Sequence, residues 1–187
     1  MKSLFSGSST SLAAAPAKPG APASADVECP AVEYRLGAAT LAITDSGVEN
    51  PALSLRYQAN FLQTARECAV RGGNLNIKVG VQGRIVVGPA GGPAQINLPL
   101  RYALVREGLE PRTIWTKLYL VPVTIPPGAP NALFVHIEED MTAPLPPAVE
   151  LEAYVIYVGF DPEGVPPEKP PPPPKTRPRP RTTAQTP

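Results

Sequence analysis

The sequence predicts an all-β domain built as an antiparallel sandwich of two sheets. Between about residues 32 and 160, apolar and polar residues alternate in short segments, which is the two-residue period of a half-buried strand. Glycine and proline separate these segments, and no helix-period stretch is long enough to cross between parallel strands. Seven or eight strands in about 130 residues match an immunoglobulin-like or fibronectin-like sandwich, and a small closed barrel is the alternative.

The first four predicted strands follow from this alternation. Segments 32–36 and 39–43 are separated by Gly37, and segment 53–63 is the longest. Its apolar face is formed by Leu53, Leu55, Tyr57, Ala59 and Phe61. Segment 75–87 alternates as far as Gly83, where we expect a bulge or bend because three consecutive apolar residues follow soon after it.

The last four predicted strands are separated by turns rich in proline and glycine. A turn at Gly88–Pro93 leads into segment 96–105. Pro99 within that segment indicates an edge strand or a bulge, because proline cannot donate a ladder hydrogen bond. The remaining strands are predicted at residues 113–124, 132–138 and 149–160.

Composition divides the chain of 187 residues into three parts. Residues 1–27 form a lead of small residues and proline, residues 28–161 form the β domain, and residues 162–187 form a proline-rich basic tail. We expect both ends to be disordered, because they can bury too little apolar surface to offset the conformational entropy that is lost on ordering. The net charge of +1 gives no reason to expect nucleic-acid binding. The sequence contains no run of 18 apolar residues, so a membrane-spanning helix is not predicted.

The first residues only partly resemble a secretion signal. Lys2 and the small residues 13–17 suit one, but the apolar stretch of about 7–15 residues is missing. Residues 4–8 have the outline of a lipoprotein cleavage box with Ser8 in place of the lipidated cysteine. An upstream start, an altered sequence and a plain disordered lead all remain open.

The two cysteines predict a disulfide. Cys29 precedes the first strand and Cys68 follows the longest one, and neither has the spacing of a metal site. A Cys29–Cys68 bridge would imply an oxidising compartment, whereas two buried thiols in a cytosolic protein are the alternative.

Catalytic, cofactor-binding and metal-ligating residues are not predicted. His136 is the only histidine, and by alternation it shares a strand face with Glu138; we expect an exposed cross-strand pair rather than an acid–base pair. The acidic run at residues 138–140 lacks the ligand spacing of a calcium loop. The glycines of residues 80–92 lack the following helix that a dinucleotide motif needs.

Two features are candidate partner contacts. Trp115 shares a strand face with Lys117 and Tyr119, so it could stack on a ligand or pack in the core. The tail carries Lys175, Arg177, Arg179 and Arg181 behind five consecutive prolines. Such a stiff basic rod suits an anionic surface or a groove for polyproline ligands, with a partner-free solubilising end as the alternative.

Residues 28–41, 66–68 and 79–91 resemble uncharacterised, often lipoprotein-like cell-envelope β-domain proteins of alphaproteobacteria. The resemblance covers about residues 29–160; it implies a secreted, bridged β domain and supplies no catalytic residue. The chain departs from that group because it lacks a clear signal core and a lipobox cysteine.

The resulting hypothesis is a non-enzymatic structural or protein-interaction module in the periplasm or at the outer membrane. Its expected partners are an envelope protein or a cell-wall polymer, with membrane association as a further expectation. A carbohydrate-binding or small-ligand-binding sandwich is the alternative.

Overall fold

The computed structural model describes residues 27–165, and eight strands within them form two sheets of four strands each. This confirms the predicted two-sheet sandwich. The strands are β1 (Ala31–Tyr34), β2 (Thr40–Thr44), β3 (Leu55–Arg71), β4 (Asn74–Val87), β5 (Gln95–Arg106), β6 (Arg112–Thr124), β7 (Asn131–Pro144) and β8 (Tyr154–Phe160). A 3₁₀ turn at Pro51–Leu53 and a helical turn, α1 (Ala148–Leu151), complete the elements.

Sheet A has the strand order β1-β8-β5-β6, and sheet B has the order β2-β3-β4-β7. Every pairing is antiparallel except that of β1 with β8, which is parallel. The outer strands on one side of the sandwich are β6 and β7, whose facing side chains come into contact: the Lys117 ammonium and the Asp140 carboxylate are 2.9 Å apart.

Pro99 lies in β5, which is an inner strand of sheet A, so the expectation of an edge strand or a bulge at this residue is wrong. Strand β8 pairs with β5 only from Leu100 to Arg106, and its last residue, Phe160, lies opposite Leu100. The Pro99 carbonyl accepts a hydrogen bond of 2.9 Å from the Asp161 amide just beyond that strand. Proline is therefore tolerated where the ladder with β8 stops.

The core lies between the two sheets and follows the predicted alternation. Five inward side chains of β4 are at most 1% exposed: Leu75, Ile77, Val79, Val81 and Ile85. Facing residues of β5 are equally buried: Leu98, Leu100, Tyr102 and Leu104. Completely burying an aliphatic side chain of this size contributes about 1.5–3 kcal/mol, so these two strands supply much of the hydrophobic stabilisation.

A bulge lies at the level of Gly83, but it is in the partner strand β3 and not in β4, where the sequence predicted it. The register shift lies in the partner strand, where Phe61 pairs with Gly83 and Gln63 with Gln82, leaving Leu62 as the bulged residue. A Cβ atom at Gly83 would collide with the Phe134 ring and would lie 2.6 Å from the Asn60 carbonyl oxygen. Glycine is needed because an aromatic ring occupies the place of its side chain.

That ring belongs to an aromatic cluster at one end of the core. Phe61 stacks on Phe160 with ring centroids 4.4 Å apart, and Tyr34 stacks on Phe61 at 4.9 Å. Phe134 meets Phe61 edge-on at 6.4 Å. Each such pair adds about 0.5–1.5 kcal/mol to simple burial, so the cluster joins β1 and β8 of sheet A to β3 and β7 of sheet B.

Three strands differ in extent from the sequence prediction. Strand β3 continues to Arg71, so Cys68 lies inside it, and β7 continues to Pro144. Strand β8 begins only at Tyr154, because the residues after Pro147 form the helical turn α1. Within residues 27–165, no helix has the length and apolar character required to cross a membrane.

Candidate functional site

The disulfide between Cys29 and Cys68 is present, as predicted. The two Cα atoms are 5.5 Å apart, at a sequence separation of 39. Arg66 Nε donates a hydrogen bond of 3.3 Å to the Cys29 carbonyl beside it. Because Cys29 leads into β1 of sheet A and Cys68 belongs to β3 of sheet B, the bridge fastens the two sheets together where the chain enters the domain.

Strand β7 exposes a row of apolar side chains on the outer face of sheet B. Leu133, Val135 and Ile137 are 57%, 62% and 50% exposed. The residues of β4 that pair with them are Arg84, Gln82 and Gly80, and none of these has a large apolar side chain. Strand β7 is also the last strand of sheet B within the described part of the chain, and its far edge pairs with no other strand there.

The other outer strands have features that discourage pairing, whereas the first half of β7 does not. Natural edge strands are protected by shortness, charge, proline or bulges. Strands β1 and β2 have only four and five residues, and β6 contains Pro122. The bulge of β7 lies opposite Lys78, after Ile137. Residues 131–137 contain no proline and no Lys, Arg, Asp or Glu.

His136 and Glu138 lie on the inner face of β7, so the expectation of an exposed pair is wrong. Glu138 is completely buried and His136 is partly buried. The Tyr102 hydroxyl lies 2.9 Å from His136 Nδ1, and the Tyr119 ring centroid lies 4.5 Å from that of His136. The alternation was correct, but the inner and outer faces were exchanged. His136 contacts two tyrosines of sheet A, and Glu138 Oε1 accepts a hydrogen bond of 2.5 Å from the Asp140 amide of its own strand.

The protonation states of this inner cluster follow from its burial. Desolvation lowers the pKa of His136, Glu138 opposes that shift, and Lys117 adds to it. Desolvation raises the pKa of Tyr102 far above its ordinary value, and the Glu138 charge adds to the effect. Both partners of the Tyr102–His136 hydrogen bond are therefore neutral near pH 7, which is the state expected of a structural contact.

Trp115 and the acidic run are placed differently from a free ligand platform or a calcium loop. Trp115 is partly buried and packs against the core, while the Lys117 ammonium lies 4.8 Å from the centroid of the Tyr119 ring. Among the acids, Glu138 points inward, Glu139 pairs with Lys78, and Asp140 pairs with Lys117. No group of three or more metal-ligating side chains forms within residues 27–165.

A groove of about 610 Å³ lies on the outer face of sheet A, and no sequence pattern indicated it. Its floor crosses β8, β5 and β6, where Ala103 lies between Tyr157 and Thr116. Two backbone hydrogen bonds hold the loop after β1 against β8: the Arg35 amide donates to the Val158 carbonyl, and the Phe160 amide donates to the Ala38 carbonyl. A Cβ atom at Gly159 would lie 2.8 Å from the Ala38 Cβ, so glycine at this position allows the loop after β1 to pack closely against β8.

The charged side chains that line the groove are two cations and two anions, and one cation and one anion among them form an ion pair. Arg101 Nε donates to Asp161, and the guanidinium also reaches the Thr116 hydroxyl at 3.4 Å. The Arg101 contact lowers the pKa of Asp161. At the other side, a hydrogen bond with Glu107 raises the pKa of Tyr157, and the Arg35 guanidinium lies 5.4 Å from the Tyr157 ring centroid. The groove thus offers donors and acceptors without an excess of either charge.

The predicted tail contacts, Lys175, Arg177, Arg179 and Arg181, lie outside the described residues. Comparisons of the chain with protein-family models, with curated proteins and with solved structures find no match. The resemblance to envelope proteins therefore stays a prediction, and the candidate sites rest on the geometry above.

Proposed function

We propose that the protein is a non-enzymatic interaction module of the cell envelope that binds a partner protein by strand addition along β7. The observation that carries this proposal is the unpaired edge at residues 131–137, with three outward apolar side chains at least half exposed. An added strand would satisfy the free backbone groups of the edge, and its alternate side chains would cover the apolar row.

One observation supports a compartment outside the cytosol. The Cys29–Cys68 bridge is of the kind that persists in oxidising surroundings. It also fastens the domain at the end that would be pulled if the lead were tethered to a membrane. The periplasm or the outer-membrane surface is accordingly the proposed location.

Strand addition can be tested by site-specific photo-crosslinking in cells that produce the protein. A crosslinker at Val135 should give a discrete adduct, and Ile137→Lys in the same chain should abolish it. A crosslinker at Leu109, which is fully exposed in the loop after β5, is the matched control and should give none. Equal labelling from both positions would contradict docking at β7.

The captured partner should then be purified and mixed with the protein for hydrogen exchange. Strand addition protects alternate backbone amides of residues 131–137, because only every second amide of an edge strand points away from its sheet. If the protected amides lie only elsewhere on sheet B, the partner docks on the face of the sheet and not at its edge.

A further inference from the structure

We propose that the groove on the outer face of sheet A is a binding site for a neutral saccharide, separate from the β7 edge. Its volume of about 610 Å³ is within the range of about 300–1,000 Å³ typical of small-ligand sites. Strands β5, β6 and β8 form its floor, and hydrogen bonds to β8 hold the Arg35–Ala38 wall. The site is therefore built on rigid elements.

The arrangement of charged side chains along the groove disfavours a charged ligand. Arg101 is engaged by Asp161, and Glu107 lines the same groove as Tyr157. Arg35 and Arg101 are matched in number by Glu107 and Asp161 along the lining. An anionic ligand would gain little net attraction from a lining with equal numbers of cations and anions, and at Arg101 it would compete with the Asp161 carboxylate.

The same side chains suit vicinal hydroxyl groups. A sugar hydroxyl both donates and accepts, so it can bridge a guanidinium and a carboxylate that lie side by side. Asp161 and Arg101 form such a pair, and the Thr116 hydroxyl is next to it. Tyr157 supplies aromatic surface for the apolar face of the ring, and the small Ala103 leaves room above the floor.

The test is a titration of the full chain with chitotriose and maltotriose as neutral probes, in which backbone amide NMR spectra are recorded at each addition. The amides of Ala103, Thr116 and Gly159 should shift with at least one probe. For so small a ligand, we expect an affinity on the order of millimolar. A trimer of galacturonic acid is the anionic comparator and should bind more weakly.

Two variants and one control separate this site from general surface effects. Ala103→Phe fills the floor and Arg101→Gln removes the paired donor, and each should weaken binding by about tenfold or more. Ala65→Phe places the same ring on the outer face of sheet B, at an exposed position paired with Gly80, and should leave binding unchanged. Coincident amide spectra away from each mutation show that all three variants are folded.

The outcomes decide the inference. Retention of the protein on insoluble peptidoglycan or chitin, lost in Ala103→Phe, would identify a cell-wall polymer as the source of the saccharide, whereas binding of the trimers alone would indicate a free sugar. If neither neutral probe shifts the groove amides, if the anionic trimer binds more tightly, or if only a peptide shifts them, the inference is wrong. None of these results bears on strand addition at β7.

Discussion

Replacing Gly83 by alanine is a direct test of the packing of the core. The added Cβ would meet the Phe134 ring and would lie 2.6 Å from the Asn60 carbonyl oxygen. One of these neighbours is backbone, so β3 must move away from β4, and the ring must also leave its contacts with Phe61 and Phe160. Overpacking typically costs 1–3 kcal/mol, and because two neighbours are displaced we expect about 3 kcal/mol.

Gly80 in the same strand is the matched control. A Cβ atom there would lie 4.0 Å from an Ile137 side-chain carbon, which is an ordinary contact. Gly80→Ala should therefore stabilise the protein by about 0.4–1 kcal/mol, because alanine restricts the unfolded chain more than glycine does. Urea unfolding followed by the fluorescence of Trp115, the only tryptophan, measures both variants in the same assay.

The comparison also includes a partial rescue. With an m-value of about 1–3 kcal/mol/M, a loss of about 3 kcal/mol moves the urea midpoint by about 1–3 M. Phe134→Leu added to Gly83→Ala removes the ring but not the Asn60 carbonyl, so the double variant should show a coupling energy of about 1 kcal/mol or more. Equal midpoints for Gly83→Ala and Gly80→Ala would refute the packing described here.

Two further predictions concern the disulfide and the inner polar cluster. Replacing Cys29 and Cys68 by alanine should cost about 4 kcal/mol in urea unfolding, from the entropy of a loop with a sequence separation of 39; a loss below about 1 kcal/mol would show that the bridge adds little. Burial lowers the pKa of His136 below 6.5, so the unfolded chain binds the proton more tightly, and stability present above about pH 6.5 should decline as the pH falls below it. His136→Gln should flatten that part of the pH–stability curve, and parallel curves for the two proteins would assign the decline to other groups.

The fold class could be predicted from sequence because the period of two is a local property of each strand. All eight strands were located, and the register of inward and outward residues in β4 followed directly from alternation. The Cys29–Cys68 pairing could be predicted because only one intramolecular pairing exists for two cysteines.

The direction of a strand face is not a local property, as β7 shows. The predicted alternation of Leu133, Val135 and Ile137 against His136 and Glu138 is correct, but the apolar set faces solvent. That choice depends on Tyr102 and Tyr119, which reach across from sheet A and are distant in sequence. Gly83 was misread for the same reason, since the ring that fills its place comes from another strand.

The sequence by itself determined the all-β class and the bridged cysteines. Backbone periodicity and composition act within a few residues, and two cysteines leave a single pairing to consider. Tertiary structure alone decided which strands lie at the edges and which surface is concave. The groove exists because Arg35, Arg101, Tyr157 and Thr116, from separate parts of the chain, meet on one face of sheet A. The order of the strands in the sheet places these residues close together, and no local sequence pattern encodes that order.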